Sequence, residues 1–179
     1  DFVRSAAPDL IVHTAARVGG IQANIADPTG YLLDNLLIDS SVISAAMEAG
    51  VPGLVYIGSS CMYPRDFRQP LIETDILAGP LEPTNEGYAL AKISSAKLCG
   101  YASAQYGLDY RVIIPSNLYG PYDDFSPERS HRVAAVLAKL HRATATDAAT
   151  VEIWGTGRAR REFTYVGDVA DWMINSIER

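Results

Sequence analysis

Hydrophobic runs alternate with helical patterns along the whole of this 179-residue chain. Four runs are apolar enough for buried strands: "LIVHTAA" (10–16), "LVYIGSS" (54–60), "YRVIIPSNLYG" (110–120) and "VEIWG" (151–155). Strands that are separated by helices predict right-handed crossovers and parallel pairing. The pattern therefore predicts an α/β fold, built as a doubly wound parallel sheet.

The first long helix is predicted between residues 28 and 49. Asp27 suits the N-cap, Pro28 suits the first helical position and Gly50 suits the C-terminal stop. Its apolar stripe is predicted to consist of Leu33, Leu36, Leu37, Val42, Ile43, Ala46 and Met47.

A second long helix is predicted between residues 85 and 106. Thr84 or Asn85 would cap it, and Gly107 would end it. Two further helices are predicted to begin near Ser130 and Asp168. The segment 64–87 is rich in proline and acidic residues, and a loop of that length is often functional.

The composition excludes several classes of protein. Hydrophobic residues make up 48% and charged residues 20%, as in globular proteins. No apolar run reaches the roughly 18 residues that a membrane helix needs, no leader for secretion is recognisable, and a net charge of −6 argues against nucleic acid as a partner. Two cysteines, Cys61 and Cys99, fit a reducing cytoplasm, and we predict no metal site.

Two residues of the second long helix have the spacing of an acid–base pair. Tyr88 and Lys92 in "YALAK" are four residues apart and share one helix face. A cation about 5 Å from a phenol would favour phenolate by roughly 3 kcal/mol, or about 2 pKa units. A surface helix with the same two residues by coincidence is the alternative, because this spacing alone is weak.

Ser59 strengthens the functional interpretation of that pair. It follows the strand at residues 54–57, and ligands of α/β proteins bind at the carboxyl ends of strands. A hydroxyl, a phenol and an ammonium around one carbonyl are the groups that alcohol–ketone chemistry needs. His13 lies inside an apolar strand, and we predict a core histidine whose hydrogen bonds are satisfied; Cys99 lies on the second long helix, and we predict a packing role for it.

Longer motifs then connect the chain to a known family. "AARVGGIQAN", "GSSCMYP", "GYALAK", "PSNLYGPYDDF" and "VEIWGTGRARREF" resemble the extended short-chain dehydrogenase/reductase family. The similarity is greatest to the branch that epimerises GDP-4-keto-6-deoxymannose and then reduces it with NADPH. The resemblance implies an incomplete NADP-binding Rossmann domain at 1–120, which lacks the first βαβ unit, and part of a smaller substrate-binding lobe at 121–179.

The same resemblance implies roles for individual residues. Catalysis would fall to Ser59, Cys61, Tyr88, Lys92 and His131, with the thiol and the imidazole moving protons on the carbons beside the ketone. NADP(H) would be bound by Ala15, Ala16, Val18, Lys92, Pro115, Asn117, Leu118 and His131. A nucleotide-sugar substrate would be bound by Lys139, Trp154 and Arg161.

Partners and completeness are also implied. Members of the family pair as homodimers through the two long helices, and the small residues on both helices permit this. A glycine-rich phosphate loop is missing from the sequence given. We expect that loop to precede Asp1, and we expect this chain alone to bind NADPH poorly.

Two alternatives stay open at this point. One is another nucleotide-sugar epimerase or dehydratase, against which the pair of Cys61 and His131 argues. The other is a non-catalytic Rossmann-like protein, which would have no need to keep Ser59, Tyr88 and Lys92 together.

Overall fold

The chain folds into two compact units, which span Asp1–Ile114 and Pro115–Arg179. A computed structural model describes residues 2–127, 129–153, 155–158 and 160–177. Each unit has its own parallel strands, so the predicted α/β class is confirmed. The functional domains predicted at 1–120 and 121–179 stay a prediction.

Three parallel strands form the sheet of the first unit. They are β1 (Leu10–His13), β2 (Gly53–Ile57) and β3 (Asp109–Ile113), in the order β1-β2-β3. His13 is in register with Tyr56, and Ile57 is in register with Ile113. Because the strands are parallel, their carboxyl ends lie at one edge of the sheet, where an α/β protein binds its ligands.

Four helices complete the first unit: α1 (Phe2–Ala6), α2 (Ile21–Ala26), α3 (Pro28–Ala49) and α4 (Glu86–Tyr106). The predicted caps of α3 are confirmed, since the Asp27 side chain accepts a hydrogen bond from Gly30 N, and Gly50 ends the helix at φ 70°. Gly107 ends α4 in the same left-handed conformation, which glycine adopts without steric cost.

The core of the first unit lies where α3 and α4 pack on the sheet. Its fully buried members include Ile43 from α3, Leu54 and Tyr56 from β2, and Cys99 from α4. The predicted packing role of Cys99 is therefore confirmed. A second cluster of buried side chains joins Met62 to Ala89 and Ile93, near the N-terminal end of α4.

The predicted apolar stripe of α3 is only partly correct. Ile43 and Ala46 are buried, but Leu33 and Leu37 are 51% and 56% exposed. The buried face instead follows a four-residue repeat through Tyr31, Asn35, Asp39 and Ile43. Leucines lie on several sides of α3, so periodicity alone did not identify the side that meets the sheet.

The second unit is smaller and has a two-stranded sheet. Its elements are β4 (Asn117–Tyr119), α5 (Arg132–Ala145), β5 (Phe163–Tyr165) and α6 (Val166–Ile177), with β4 parallel to β5. The strand predicted at 110–120 is thus two strands in different sheets, separated at Pro115, which has no N–H for a continuous ladder. The strand predicted at "VEIWG" was wrong, since residues 151–153 are irregular.

The long segment 64–87 contains short 3₁₀ turns at Glu73–Asp75 and Pro83–Asn85 before α4 begins. Arg68 donates to the buried carboxylate of Asp75 over 2.6 Å, and this bond connects two parts of the segment. Within the described part of the chain, no helix combines the length and the apolarity that crossing a bilayer requires.

Candidate active site

The hydroxyl and the thiol that follow β2 lie on a tight turn at the end of that strand. Ser59 is extended and precedes a 3₁₀ turn at Ser60–Met62. Its Oγ accepts a hydrogen bond from Cys61 N over 3.4 Å. Gly58 permits this turn, because a Cβ there would lie 2.9 Å from Met62 Sδ and 3.3 Å from Ile113 O.

Lys92 reaches the same strand end from α4. Its side chain is buried, and Nζ donates to Ile57 O over 3.0 Å. Nζ also lies 4.6 Å from the centre of the Tyr56 ring and 6.0 Å from that of the Tyr88 ring. The ammonium is therefore fixed by the carbonyl of Ile57 and the ring of Tyr56, both from β2. It lies beside Tyr88, the tyrosine that the sequence analysis paired with it.

The ionisation of Tyr88 differs from the sequence-based expectation. Burial raises the pKa of Tyr88, and electrostatic interactions with Cys61 and Asp39 act in the same direction. This net rise is opposite in direction to the lowering expected from Lys92, whose ammonium donates to Ile57 O and lies nearer to the Tyr56 ring than to the Tyr88 ring. Tyr88 is consequently a neutral phenol at neutral pH, a state that can donate a proton.

Cys61 is electrostatically linked to the same groups. Burial raises the pKa of its thiol, whereas a hydrogen bond with Ser59 and the charge of Lys92 act to lower it. The structure thus brings together four of the residues predicted to be catalytic: Ser59, Cys61, Tyr88 and Lys92. All four belong to the first unit.

A buried carboxylate behind Lys92 was missed by the sequence analysis. Asp39 is fully buried; His13 Nε2 donates to its Oδ1 over 2.9 Å, and Tyr56 Oη donates to its Oδ2. The prediction that His13 is a satisfied core histidine is confirmed. The sequence did contain a signal for Asp39. Asn35 and Asp39 are polar residues four positions apart in an otherwise apolar helix, so they lie on the same helix face.

The segment after β1 carries three residues predicted to bind the cofactor, and a buried side chain holds it in place. Asn35 is bonded to Arg17 at both backbone groups: Oδ1 accepts from Arg17 N over 2.9 Å, and Nδ2 donates to Arg17 O over 3.0 Å. This clamp fixes the backbone beside Ala15 and Val18, which are exposed, and Ala16, which is half-buried.

The side chain of Arg17 provides a second anchor for that segment. Its guanidinium lies 2.8 Å from an Asp27 carboxylate oxygen and 2.9 Å from one of Asp34, and 4.6 Å above the Tyr31 ring. All three partners come from the first turns of α3 or its cap. The segment after β1 is therefore attached to the start of α3 by these ion pairs as well as by the hydrogen bonds of Asn35.

The remaining predicted cofactor residues lie in the second unit. Pro115 and Leu118 are partly buried, whereas Asn117 is exposed and its Nδ2 donates to Glu162 O over 2.9 Å. His131 is exposed at the N-cap of α5, and its side chain caps no backbone group. Its imidazole therefore lies at the surface of the second unit.

Two of the three predicted substrate residues can be described. Lys139 lies on α5, and its Nζ donates to Glu152 O over 3.0 Å. Arg161 is exposed, and its guanidinium donates to Arg160 O over 2.8 Å. Trp154 lies outside the described residues. In the ranges that the structure describes, no cluster of three or more His, Cys, Asp or Glu side chains is arranged to hold a metal ion.

Several proteins of known name are similar to this chain in sequence. The chain is 46% identical over 178 residues to GDP-L-fucose synthase of Escherichia coli K12, covering 99% of this chain and 56% of that protein. It is also 46% identical over 177 residues to GDP-L-colitose synthase of Yersinia pseudotuberculosis, covering 98% and 58%. The chain therefore spans little more than half the length of these relatives.

A solved structure has the same fold. The GDP-mannoheptose C4 reductase of Campylobacter jejuni, determined with NADP bound, superposes with a TM-score of 0.86 at 29% identity, over 99% of this chain and 61% of that one. The family model described as "NAD dependent epimerase/dehydratase family" matches residues 1–179. The chain belongs to the NAD dependent epimerase/dehydratase family.

Proposed function

We propose that this chain carries the catalytic residues of an NADPH-dependent epimerase/reductase that converts GDP-4-keto-6-deoxy-D-mannose to GDP-L-fucose. The carrying observation is the cluster of Ser59, Cys61, Tyr88 and Lys92 at the end of β2. Ser59 Oγ accepts from Cys61 N, and Lys92 Nζ donates to Ile57 O and lies 6.0 Å from the Tyr88 ring. The relatives named GDP-L-fucose synthase support the choice of substrate.

In the reduction, Tyr88 is the proton donor. Burial raises the pKa of its phenol, so Tyr88 keeps its proton until the ketone oxygen gains charge and accepts it. Ser59 donates a second hydrogen bond to the same oxygen, and the buried ammonium of Lys92 stabilises the developing charge. The nicotinamide, when bound, supplies the hydride.

In the epimerisation, Cys61 and His131 move the protons. Inverting a carbon beside a ketone requires removal of a proton on one side and delivery on the other, and the enolate between them needs stabilisation. Burial raises the pKa of the Cys61 thiol, and the hydrogen bond with Ser59 and the charge of Lys92 oppose that rise, which supports its use as a proton carrier. His131 would supply the second group.

The residues after β1, together with Pro115 before β4 and Asn117 and Leu118 within it, are the proposed binding residues for the dinucleotide. Ala15 and Val18 are exposed and Ala16 is half-buried, beside the Arg17 backbone that Asn35 holds, and Lys92 donates to Ile57 O at the end of the neighbouring strand β2. Pro115, Asn117 and Leu118 would contact the nicotinamide half. Lys139, Trp154 and Arg161 would bind the nucleotide sugar, with the cations on its diphosphate.

We also propose a homodimer in the cytoplasm. Large apolar side chains stay exposed on the two long helices: Leu33 and Leu37 on α3, and Leu90 and Tyr101 on α4. A second copy that packs on this face would bury them. A reducing compartment fits the chemistry, since Cys61 must remain a free thiol to carry protons.

The test is product analysis with the complete protein that carries this chain, supplied with GDP-4-keto-6-deoxymannose and NADPH in heavy water. Cys61→Ser should lower deuterium incorporation beside the ketone by about 10²–10⁴-fold, the usual contribution of a positioned acid or base. It should still allow reduction to an unepimerised sugar. Cys99→Ala is the matched control, because that cysteine lies in the core.

Two results would contradict the proposal. One is full epimerisation by the Cys61→Ser variant. The other is a wild-type protein that consumes NADPH but forms a sugar other than L-fucose, which would move the activity to a different member of the family, such as one of the colitose type.

A further inference from the structure

We propose that Asp39 is a positioning residue for this reaction: its buried carboxylate is the counter-ion that keeps Lys92 charged and directed at the site. The inference rests on the proposed function for its catalytic meaning. The arrangement itself, from His13 through Asp39 and Tyr56 to Lys92, rests on the geometry of the first unit.

The carboxylate of Asp39 is fully buried, so its charge needs hydrogen bonds and a nearby positive charge. Its side chain has 0% exposure, and an ionised carboxylate in such a place is costly unless it is hydrogen-bonded and paired with a positive charge. Tyr56 and His13 each donate one hydrogen bond to it, one to each oxygen. These bonds satisfy its oxygens, and together with Lys92 they lower the pKa of Asp39 against the opposing effect of burial.

The Tyr56 side chain connects the carboxylate to the ammonium. Its hydroxyl donates to Asp39, and the face of its ring lies 4.6 Å from Lys92 Nζ. The next residue, Ile57, accepts from the same Nζ over 3.0 Å. Residues 56 and 57 of β2 therefore fix the ammonium from two sides, and Asp39 holds the first of them in place.

Lys92 depends on a negative charge because of its burial. With 3% exposure its ammonium is poorly hydrated, and burial lowers its pKa while Asp39 and Cys61 act in the opposite direction. Without a counter-ion, a buried lysine loses its proton at a lower pH. The groups that face Lys92 are Asp39 of α3, Tyr56 of β2, Cys61 after β2, and Tyr88 of α4.

The experiment measures the charge of Lys92 directly. In the complete protein with isotopically labelled lysine, NMR titration gives the pKa of each side chain, and the Lys92 signal is assigned by its loss in Lys92→Met. In Asp39→Asn, which keeps the shape of the side chain but removes its charge, the pKa of Lys92 should fall by at least about one unit. Lys97, exposed on the same helix, should not change.

Tyr56→Phe is the matched control for the network. It removes the hydrogen bond to Asp39 but keeps both the carboxylate and the ring beneath Lys92, so the pKa of Lys92 should stay close to its wild-type value. An equal fall in Asp39→Asn and Tyr56→Phe would show that any damage to the packing lowers this pKa, and would overturn the counter-ion role.

A wild-type measurement covers the case in which Asp39→Asn fails to fold. The ¹³C shift of the Asp39 carboxyl group should be that of a carboxylate throughout the neutral range. A protonated Asp39 at neutral pH would overturn the proposal, as would an unchanged Lys92 pKa in a folded Asp39→Asn variant.

Turnover gives a separate readout. If the proposed function holds, the alkaline limb of the kcat profile should move to lower pH in Asp39→Asn, with kcat on that limb reduced roughly tenfold per unit of pKa change. A purely structural role would lower stability and leave this limb in place. If the proposed reaction itself is wrong, turnover is absent in every variant, yet the NMR titration still decides whether Asp39 sustains the charge of Lys92.

Discussion

The two units of this chain differ in how they expose their functional residues. In the first unit, Lys92 is buried, and Ser59, Cys61 and Tyr88 are partly covered at the end of β2. In the second unit, His131, Asn117 and Arg161 are exposed, and Ala134 is the one buried residue among those that the structure describes there. The proposed catalytic residues of the first unit are thus buried or half-buried, whereas His131 and the proposed binding residues Asn117 and Arg161 of the second unit are exposed.

This difference has a physical basis. Proton transfer at a ketone benefits from a site where water is scarce, because charges act more strongly there and the pKa values of buried groups shift. The burial-driven shifts of Tyr88, Cys61 and Lys92 all occur in the first unit. A diphosphate arrives from water, and exposed cations can capture it without prior desolvation.

The largest expected difference between the two units is in the free energy of unfolding that a truncated side chain costs. In this chain, Ile43→Ala removes a fully buried side chain from the core and should lower the free energy of unfolding by about 2–5 kcal/mol. Ile174→Ala removes the same atoms from the surface of α6, where the side chain is 56% exposed, and should cost less than about 0.5 kcal/mol. Denaturant titration of both variants measures this difference. Equal losses would mean that the second unit has a core as extensive as the first.

A smaller effect is expected when a binding residue of the second unit is changed. Arg161→Ala should raise the KM for the nucleotide sugar by roughly 10- to 100-fold, the value of a hydrogen bond to a charged group, and leave kcat nearly unchanged. Arg158→Ala is the matched control, because Arg158 is also exposed and precedes Arg161 by three residues in "RARR". Steady-state kinetics of the complete protein would show the split. A fall in kcat at constant KM would place Arg161 among the chemical groups instead.

Much of the fold of the first unit was predictable from local signals. Asp27, Pro28 and Gly50 define α3 because capping preferences act over a few residues. The cluster of Ser59, Tyr88 and Lys92 followed from one strand end and one helix face. These features require no knowledge of distant parts of the chain.

What could not be predicted depends on contacts between distant segments. Leu33 and Leu37 fit an apolar stripe, yet α3 buries Asn35 and Asp39, because Arg17, His13 and Tyr56 offer these two side chains partners that lie elsewhere in the sequence. The strand predicted at 110–120 divides between two sheets for a similar reason, since its second half pairs with β5, more than forty residues later.

The most direct test of the account is the turnover of Tyr88→Phe in the complete protein, measured beside Tyr101→Phe. Tyr101 lies on the same helix but is 67% exposed, so its replacement controls for the loss of one hydroxyl from α4. We predict that Tyr88→Phe lowers kcat by about 10²–10⁴-fold with little change in KM, and that Tyr101→Phe has the wild-type rate. Reduction at the wild-type rate by Tyr88→Phe would contradict the assignment of the catalytic site to the end of β2.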